Sequence, residues 1–257
     1  MILISIVTIT YNAARSLQRT LDSVSCQTYP HLEHLIVDGA SKDETLQMAR
    51  HYQEASPYEV VVSSEPDEGL YDAMNKGLKR ATGDYVVFLN AGDAFHSKDT
   101  IQTVVNAASS QPSSVSSQRL PAVVYGDTAI TDAEGHFLHL RRLRPPKELS
   151  WRSFRQGMLV CHQAFYARLD IARQTPYNLQ YRHSADVDWC IRIMKEADRQ
   201  GLALVNTGTV LADFEEGGNT TQNHRASLME RYQVMSHHYG LVQTFFLHVW
   251  FVIRAVL

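Results

Sequence analysis

Short unbroken apolar runs alternate with amphipathic stretches along the first 90 residues. The runs are Ile2–Ile9, "HLEHLIVDG", "YEVVVSS" and Tyr85–Leu89. Turn residues bound each one, so each predicts a buried strand. Ala13–Gln27 lies between the first two, with Leu17, Leu21 and Val24 recurring on one helical face. Asp43–Glu54 predicts a second helix with Ser41 as its N-cap, and "GLYDAMNKGLKRA" a third. Strands separated by helices of this length predict a parallel, doubly wound α/β sheet with right-handed crossovers.

The pattern changes after Ser109–Gln118, a Ser-rich polar connector. "AVVYGDTAITDAEGHFLHL" reads as strand, turn, strand, reversing at "DAEG". "SADVDWCIRIMKEA" predicts a helix, "LALVNTGTVLADF" two short strands, and "EEGGNTTQNHR" a loop able to close over a substrate. The second half therefore extends the sheet as a mixed one. Residues 1–215 are expected to form one domain, in two halves (1–110 and 119–215). A loop and a helical tail (216–257) follow. The tail segment Gly240–Leu257 is strongly apolar but holds Gln243, His248 and Arg254. Three readings stand for it: a helix packed on the core, an interfacial membrane helix, or a span near the minimum length.

Composition narrows the function classes. With a formal net charge of -3 the chain lacks the basic footprint of a nucleic-acid binder. Cys26, Cys161 and Cys190 are scattered and odd in number, against a disulfide framework or a zinc site and in keeping with a reducing compartment. The start, "MILISIVTITYN", lacks a basic leader and reads as the first strand, so a cytoplasmic protein is expected. There is no G-x-x-x-x-G-K-[ST] loop, and the turn after the first strand reads "TITYNAARS" rather than G-x-G-x-x-G. These exclude a P-loop site and argue against a dinucleotide-binding Rossmann enzyme.

What remains is a row of acids at strand ends: Asp38, Glu65, Asp67 and Asp93. Parallel strands bring their carboxyl ends to one edge, where open α/β sheets bind ligands. Each acid alone suits a turn. Together they repel unless a cation or a donor-rich ligand joins them.

Two blocks resemble glycosyltransferase family 2, whose fold is GT-A. They are "SIVTITYNAARSLQRTLDSVSCQTYPHLEHLIVDGASKDET" and "SEPDEGLYDAMNKGLKRATGDYVVFLNAGD", and they are most similar to the subgroup that builds bacterial surface polysaccharides such as O-antigen and capsule. "CHQAFYAR" and "SADVDWCIRI" resemble the family more loosely. The resemblance implies an inverting transfer of a hexose-type sugar from a nucleotide-diphosphate sugar, of the UDP class, to a lipid-linked or growing glycan. It implies a Mg²⁺ or Mn²⁺ ion held by an Asp-x-Asp motif after the fourth strand. Here that motif reads Asn90-Ala91-Gly92-Asp93, with an amide at the first acid position, leaving Asp93 as the metal carboxylate.

By the same resemblance, Thr8, Tyr11 and Asp38 grip the nucleobase and ribose. Asp67, Asp72, Asn75 and Lys76 surround a helix start beside the diphosphate, where free N–H groups favour anions. Asp72 and Lys76 are also an i,i+4 pair that a plain helix would stabilise. The base falls on Asp186, with Ala185 replacing the family's Glu and Asp188 as the rival. His162, Gln163, Asp188 and Trp189 fall on the acceptor side. Tail residues 240–257 would hold the protein at the inner membrane face. Because of the changes at Asn90 and Ala185, a nucleotide-sugar binding module without catalysis is the alternative.

Overall fold

The computed structural model describes residues 1–110, 120–216 and 224–256. Strands β1 (Ile4–Thr10), β2 (Leu32–Asp38), β3 (Glu59–Ser64) and β4 (Tyr85–Phe88) alternate with helices α1 (Ala14–Ser25), α2 (Thr45–Ala55) and α3 (Leu70–Arg80). These four strands are parallel, in the spatial order β3-β2-β1-β4. Every residue of β1, β2 and β4 is buried, which is why they read as continuous apolar runs. Gly77 lets α3 lie close on β1, since a Cβ there would come within 2.4 Å of Val7 Cγ1.

The sheet continues into the second half through β8 (Phe165–Arg168), β6 (Val123–Thr131) and β9 (Leu204–Glu215). β8 is antiparallel to both β4 and β6, whereas β6 and β9 are parallel. A hairpin joins β6 to β7 (Phe137–Leu140) across "DAEG" as predicted. β5 (Ala94–Phe95) pairs with β9 and not with β4. Residues 89–93 therefore carry the chain from the parallel half of the sheet to the mixed half. Helices α4 (Thr100–Ser109), α5 (Leu169–Gln174) and α6 (Ala185–Gln200) cover the sheet, and α7 (His224–Tyr239) and α8 (Leu241–Val256) follow. Tyr177, Trp189 and Phe88 form an aromatic knot in the core, with Tyr177 and Trp189 stacked 4.9 Å apart and Phe88 edge-on to both.

Three sequence expectations change. "LALVNTGTVLADF" forms one strand, not two: register shifts and the positive φ of Gly208 (+72°) absorb the irregularity without breaking it. Ser41 does not cap α2. Its hydroxyl donates to Asp38 at 2.5 Å, while Asp43 Oδ1 accepts from the Thr45 amide at the helix start. The tail helix packs against α7 but presents an inverted face. Leu241, Val242, Phe245, Phe246, Val249 and Trp250 point outward, while Thr244 is fully buried and His248 meets the Tyr232 ring. No described helix is long and apolar enough to cross a membrane. Most of the Ser-rich connector and most of the "EEGGNTTQNHR" loop lie outside the described residues.

Candidate active site

The loops after β1 and β2 form one rim of a cleft at the carboxyl edge of the parallel strands. Asn12 and Ala40 hold positive φ (48° and 60°), a conformation non-glycine residues keep only where the surroundings enforce it. The enforcement is mutual. The Asn12 amide donates to Ser41 Oγ at 2.8 Å, and the Lys42 amide donates to Asn12 Oδ1 at 2.9 Å. Beneath them Asp38, fully buried, accepts from Thr10 Oγ1, from Ser41 Oγ and N, and from Ser64 Oγ.

Asp38 thus ties three strand ends together, and its carboxylate faces the framework instead of the cleft. Thr8 is likewise internal, with its hydroxyl between Leu89 O (2.8 Å) and His34 Nε2 (2.9 Å). Tyr11 lies at the cleft. It is 63% exposed on the rim, so it is not a core aromatic. Asp67 closes on the same rim, where a Cβ on Gly39 would come within 2.4 Å of Asp67 Oδ2.

At the start of α3 the cleft is lined by Asp67, Gly69, Leu70 and Tyr71, while the other polar residues expected there, Asp72, Asn75 and Lys76, do not line it. Asp72 accepts from the Glu68 amide (3.1 Å) and pairs with Lys76 (3.2 Å). Lys76 Nζ donates to Pro66 O at 2.7 Å. The Asn75 amide group exchanges both its bonds with the backbone of Tyr177. These three brace the helix start.

The motif Asn90–Asp93 forms the cleft floor. Asp93 is 5% exposed; Gln163 Nε2 donates to its Oδ2 at 2.7 Å, and the Glu215 amide reaches Oδ1 at 3.4 Å. Burial raises the Asp93 pKa to about 6, against the opposing pull of Gln163 and His162. Asn90 Nδ2 approaches His162 Nε2 at 3.2 Å. With the amide nitrogen there, that ring nitrogen accepts, and the ring proton sits on Nδ1. Nδ1 faces Asp186 Oδ2 at 3.4 Å.

Asp186 sits in the first turn of α6. Its other oxygen accepts from the Tyr71 hydroxyl at 3.2 Å. Burial pushes its pKa up, but the His162 bond, the Val187 amide and Arg231 outweigh this and hold it below the usual carboxylate range. Burial and then Asp186 push Tyr71 far up, keeping its phenol a donor. Glu230 of α7 positions the segment entering α6, accepting from the amides of Arg182, His183 and Ser184 at 2.9, 2.6 and 3.1 Å.

The two other acceptor-side candidates fall outside the cleft. Asp188 is 2% exposed and locked between Arg192 (2.7 Å) and His238 (2.8 Å). Trp189 is fully buried in the aromatic knot. On a helix, positions 186, 188 and 189 point in different directions, and only the first faces the opening.

The cleft holds about 950 Å³, and Tyr11, Asp67, Asn90, Asp93, His162 and Asp186 all line it. Lys42, His183 and Glu215 also line it and were not singled out from sequence. Lys42 and His183 lie in loops with no pattern to mark them. Glu215 was legible only as the end of an apolar stretch.

The floor has the donor chemistry of a hard-cation site. Asn90 Oδ1 is shut from solvent with no hydrogen-bond partner among the described residues, and carboxylate oxygens of Asp93 and Glu215 flank the motif. An oxygen-only set of this kind suits Mg²⁺ or Mn²⁺. Among the described residues a separate trio, Asp132, Glu134 and His136, lies at the β6–β7 turn, where Asp132 accepts from the His136 amide and closes the hairpin.

Glycosyl transferase family 2, as a family model, matches residues 5–173. The chain belongs to that family. It is therefore a glycosyltransferase. A "PGL/p-HBAD biosynthesis glycosyltransferase" of Mycobacterium bovis is 35% identical over 219 residues, covering 83% of this chain and 77% of the relative. Among solved structures, Staphylococcus aureus TarS 1-349 in complex with UDP-GlcNAc superposes with a TM-score of 0.70 at 16% identity, over 91% of this chain and 64% of that one. The mannosyltransferase PcManGT from Pyrobaculum calidifontis, in complex with GDP-Man and Mn²⁺, gives 0.64 at 17% identity, over 95% and 69%. At these identities the structural likeness speaks for the fold, and the fold is that of the GT-A glycosyltransferases.

Proposed function

We propose that this protein transfers a hexose-type sugar, with inversion, from a UDP-sugar to a lipid-linked or growing glycan in surface polysaccharide assembly. The observation that carries the proposal is Asp186. It is a carboxylate at the cleft held below the usual carboxylate range, foremost by His162, and bonded by Tyr71, across from a rim on which Tyr11 stands free to stack on a base. Asp186 takes the proton from the acceptor hydroxyl. That oxygen attacks the anomeric carbon from the face opposite the leaving group, the bond to the diphosphate oxygen breaks, and UDP departs with the electron pair. Lys42 and His183, at the cleft wall, are placed to meet diphosphate charge. Asp93 and its neighbours would hold a divalent cation, which neutralises the leaving diphosphate when bound. Tyr71 and His162 orient the base, and the His162 bond helps keep its proton affinity low until the acceptor arrives.

The inverted face of α8 favours a protein working at a bilayer. Six apolar side chains face out from a helix whose Thr244 is buried, the reverse of what water selects. That supports a peripheral position beside a lipid-linked acceptor.

The test is donor turnover. UDP-sugar hydrolysis or transfer by the full chain should vanish in Asp186→Asn while UDP binding persists. Nucleotide-sugar binding with no turnover in the unaltered protein would favour a binding module instead.

A further inference from the structure

An Asp-x-Asp motif that begins at position 90 places its second acid at 92, and here that residue is glycine. Two features weigh against a side chain there. Gly92 has φ +103°, a region L side chains rarely adopt. A Cβ built on it would lie 2.7 Å from Glu215 Oε2. The space into which an acid at 92 would project is thus already filled, and what fills it is a carboxylate from another strand.

The sheet puts it there. Glu215 is the last residue of β9, in register with Thr131 of β6, and β9 also pairs with β5 immediately after the motif. Its amide donates to Asp93 at 3.4 Å, so the two acids share one stretch of cleft floor. Among the described residues no hydrogen bond or ion pair engages the Glu215 carboxylate. Arg19 reaches the same loop, but its guanidinium is committed to Gly92 O, Asp132 O and Thr131 Oγ1. Neighbouring carboxylates left without a donor repel, and a cation between them removes the repulsion. Asn90 Oδ1, buried and without a partner, adds a neutral oxygen to the same floor.

We infer that Glu215 supplies, from β9, the cation-holding carboxylate that position 92 lacks, so that Mg²⁺ or Mn²⁺ with the donor diphosphate is gripped between the motif and the end of β9. This rests on the nucleotide-sugar reading above. The chain has replaced a ligand within the motif by one in a distant part of the sequence, at a point where the fold makes the two coincide.

The test is Mn²⁺ capture by the full-length protein in the presence of UDP, read from loss of the free-ion electron paramagnetic resonance signal. UDP binding without metal is measured in parallel. The expected result is UDP-dependent capture that weakens about tenfold or more in Glu215→Gln, is partly kept in Glu215→Asp, and leaves metal-free UDP affinity unchanged. Capture in Glu215→Gln equal to that of the unaltered protein overturns the inference. So does UDP binding that is indifferent to Mn²⁺, which leaves the donor reading intact. No binding of any nucleotide overturns both.

Discussion

Asn90 Nδ2 lies 3.2 Å from His162 Nε2, and the other nitrogen of that ring faces Asp186 at 3.4 Å. One continuous polar line therefore runs from Asn90 through His162 to Asp186. It gives a physical reason for an amide where the family resemblance calls for an acid. An amide nitrogen fixes the His162 tautomer with its proton toward Asp186, whereas a carboxylate at 90 would draw that proton to itself.

His162→Ala should therefore act through Asp186. Without the ring's bond, burial is less opposed and the pKa of Asp186 rises. The acid limb of the kcat/KM–pH profile should move to higher pH, with a loss of about tenfold or more at neutral pH. An unshifted limb would separate His162 from the base. Asn90→Asp should perturb the same limb in milder form.

Asp186→Asn should lower turnover by about 10²–10⁴-fold, the range of a general base, with UDP affinity unchanged. Asp188→Asn should instead act on stability, because its carboxylate is paired with Arg192 and His238 away from the cleft. Chemical denaturation and single-turnover kinetics on the two variants distinguish the roles.

Asp93 makes a pH-dependent contribution to stability. Its pKa rises from 3.8 to about 6 on folding, so its effect is most favourable where both states are protonated. It becomes unfavourable as pH climbs through that window. The stability of the nucleotide-free protein relative to Asp93→Asn should fall between pH 4 and 6 by up to about 3 kcal/mol and then level off. Urea denaturation across that range measures it; a difference that does not vary with pH would contradict the burial argument.

Glu230→Ala would leave three backbone amides ahead of Asp186 without their acceptor. The expected cost is about 1–3 kcal/mol of stability, with kcat reduced and the UDP dissociation constant little changed. If kcat is preserved, α7 does not position the base.

On α8, Phe246→Glu with Trp250→Glu should reduce co-sedimentation with anionic phospholipid vesicles, without altering the fold or UDP binding. The unaltered protein should bind them. Equal partitioning would remove the helix from membrane contact.

The parallel half of the fold was legible because β1, β2 and β4 are buried on both faces and read as plain apolar runs. The half-exposed β3, with the pattern of an outer strand, was recognisable from Val60–Val62 between turn residues. The mixed half was harder. β5 has two residues and β8 four, too short for a periodic signal, and the irregularity at Gly208 mimicked a break in β9. At the site, position along a motif located Tyr11, Asp67, Asn90, Asp93, His162 and Asp186. It did not say which way a side chain turns. Thr8, Asp38, Asp72, Asn75 and Lys76 sit where expected but direct their polar atoms into the framework. Glu215 shows the converse limit: nothing local marks a residue that long-range pairing delivers to the cleft.

The central claim is that this cleft binds a nucleoside diphosphate with the base poised beside it. Calorimetric titration of UDP into the full chain with Mn²⁺, beside GDP, dTDP and CMP, tests it most directly. The account predicts saturable, UDP-preferring binding that Asp186→Asn leaves intact. Absence of binding by every nucleotide, with or without Mn²⁺, would contradict it.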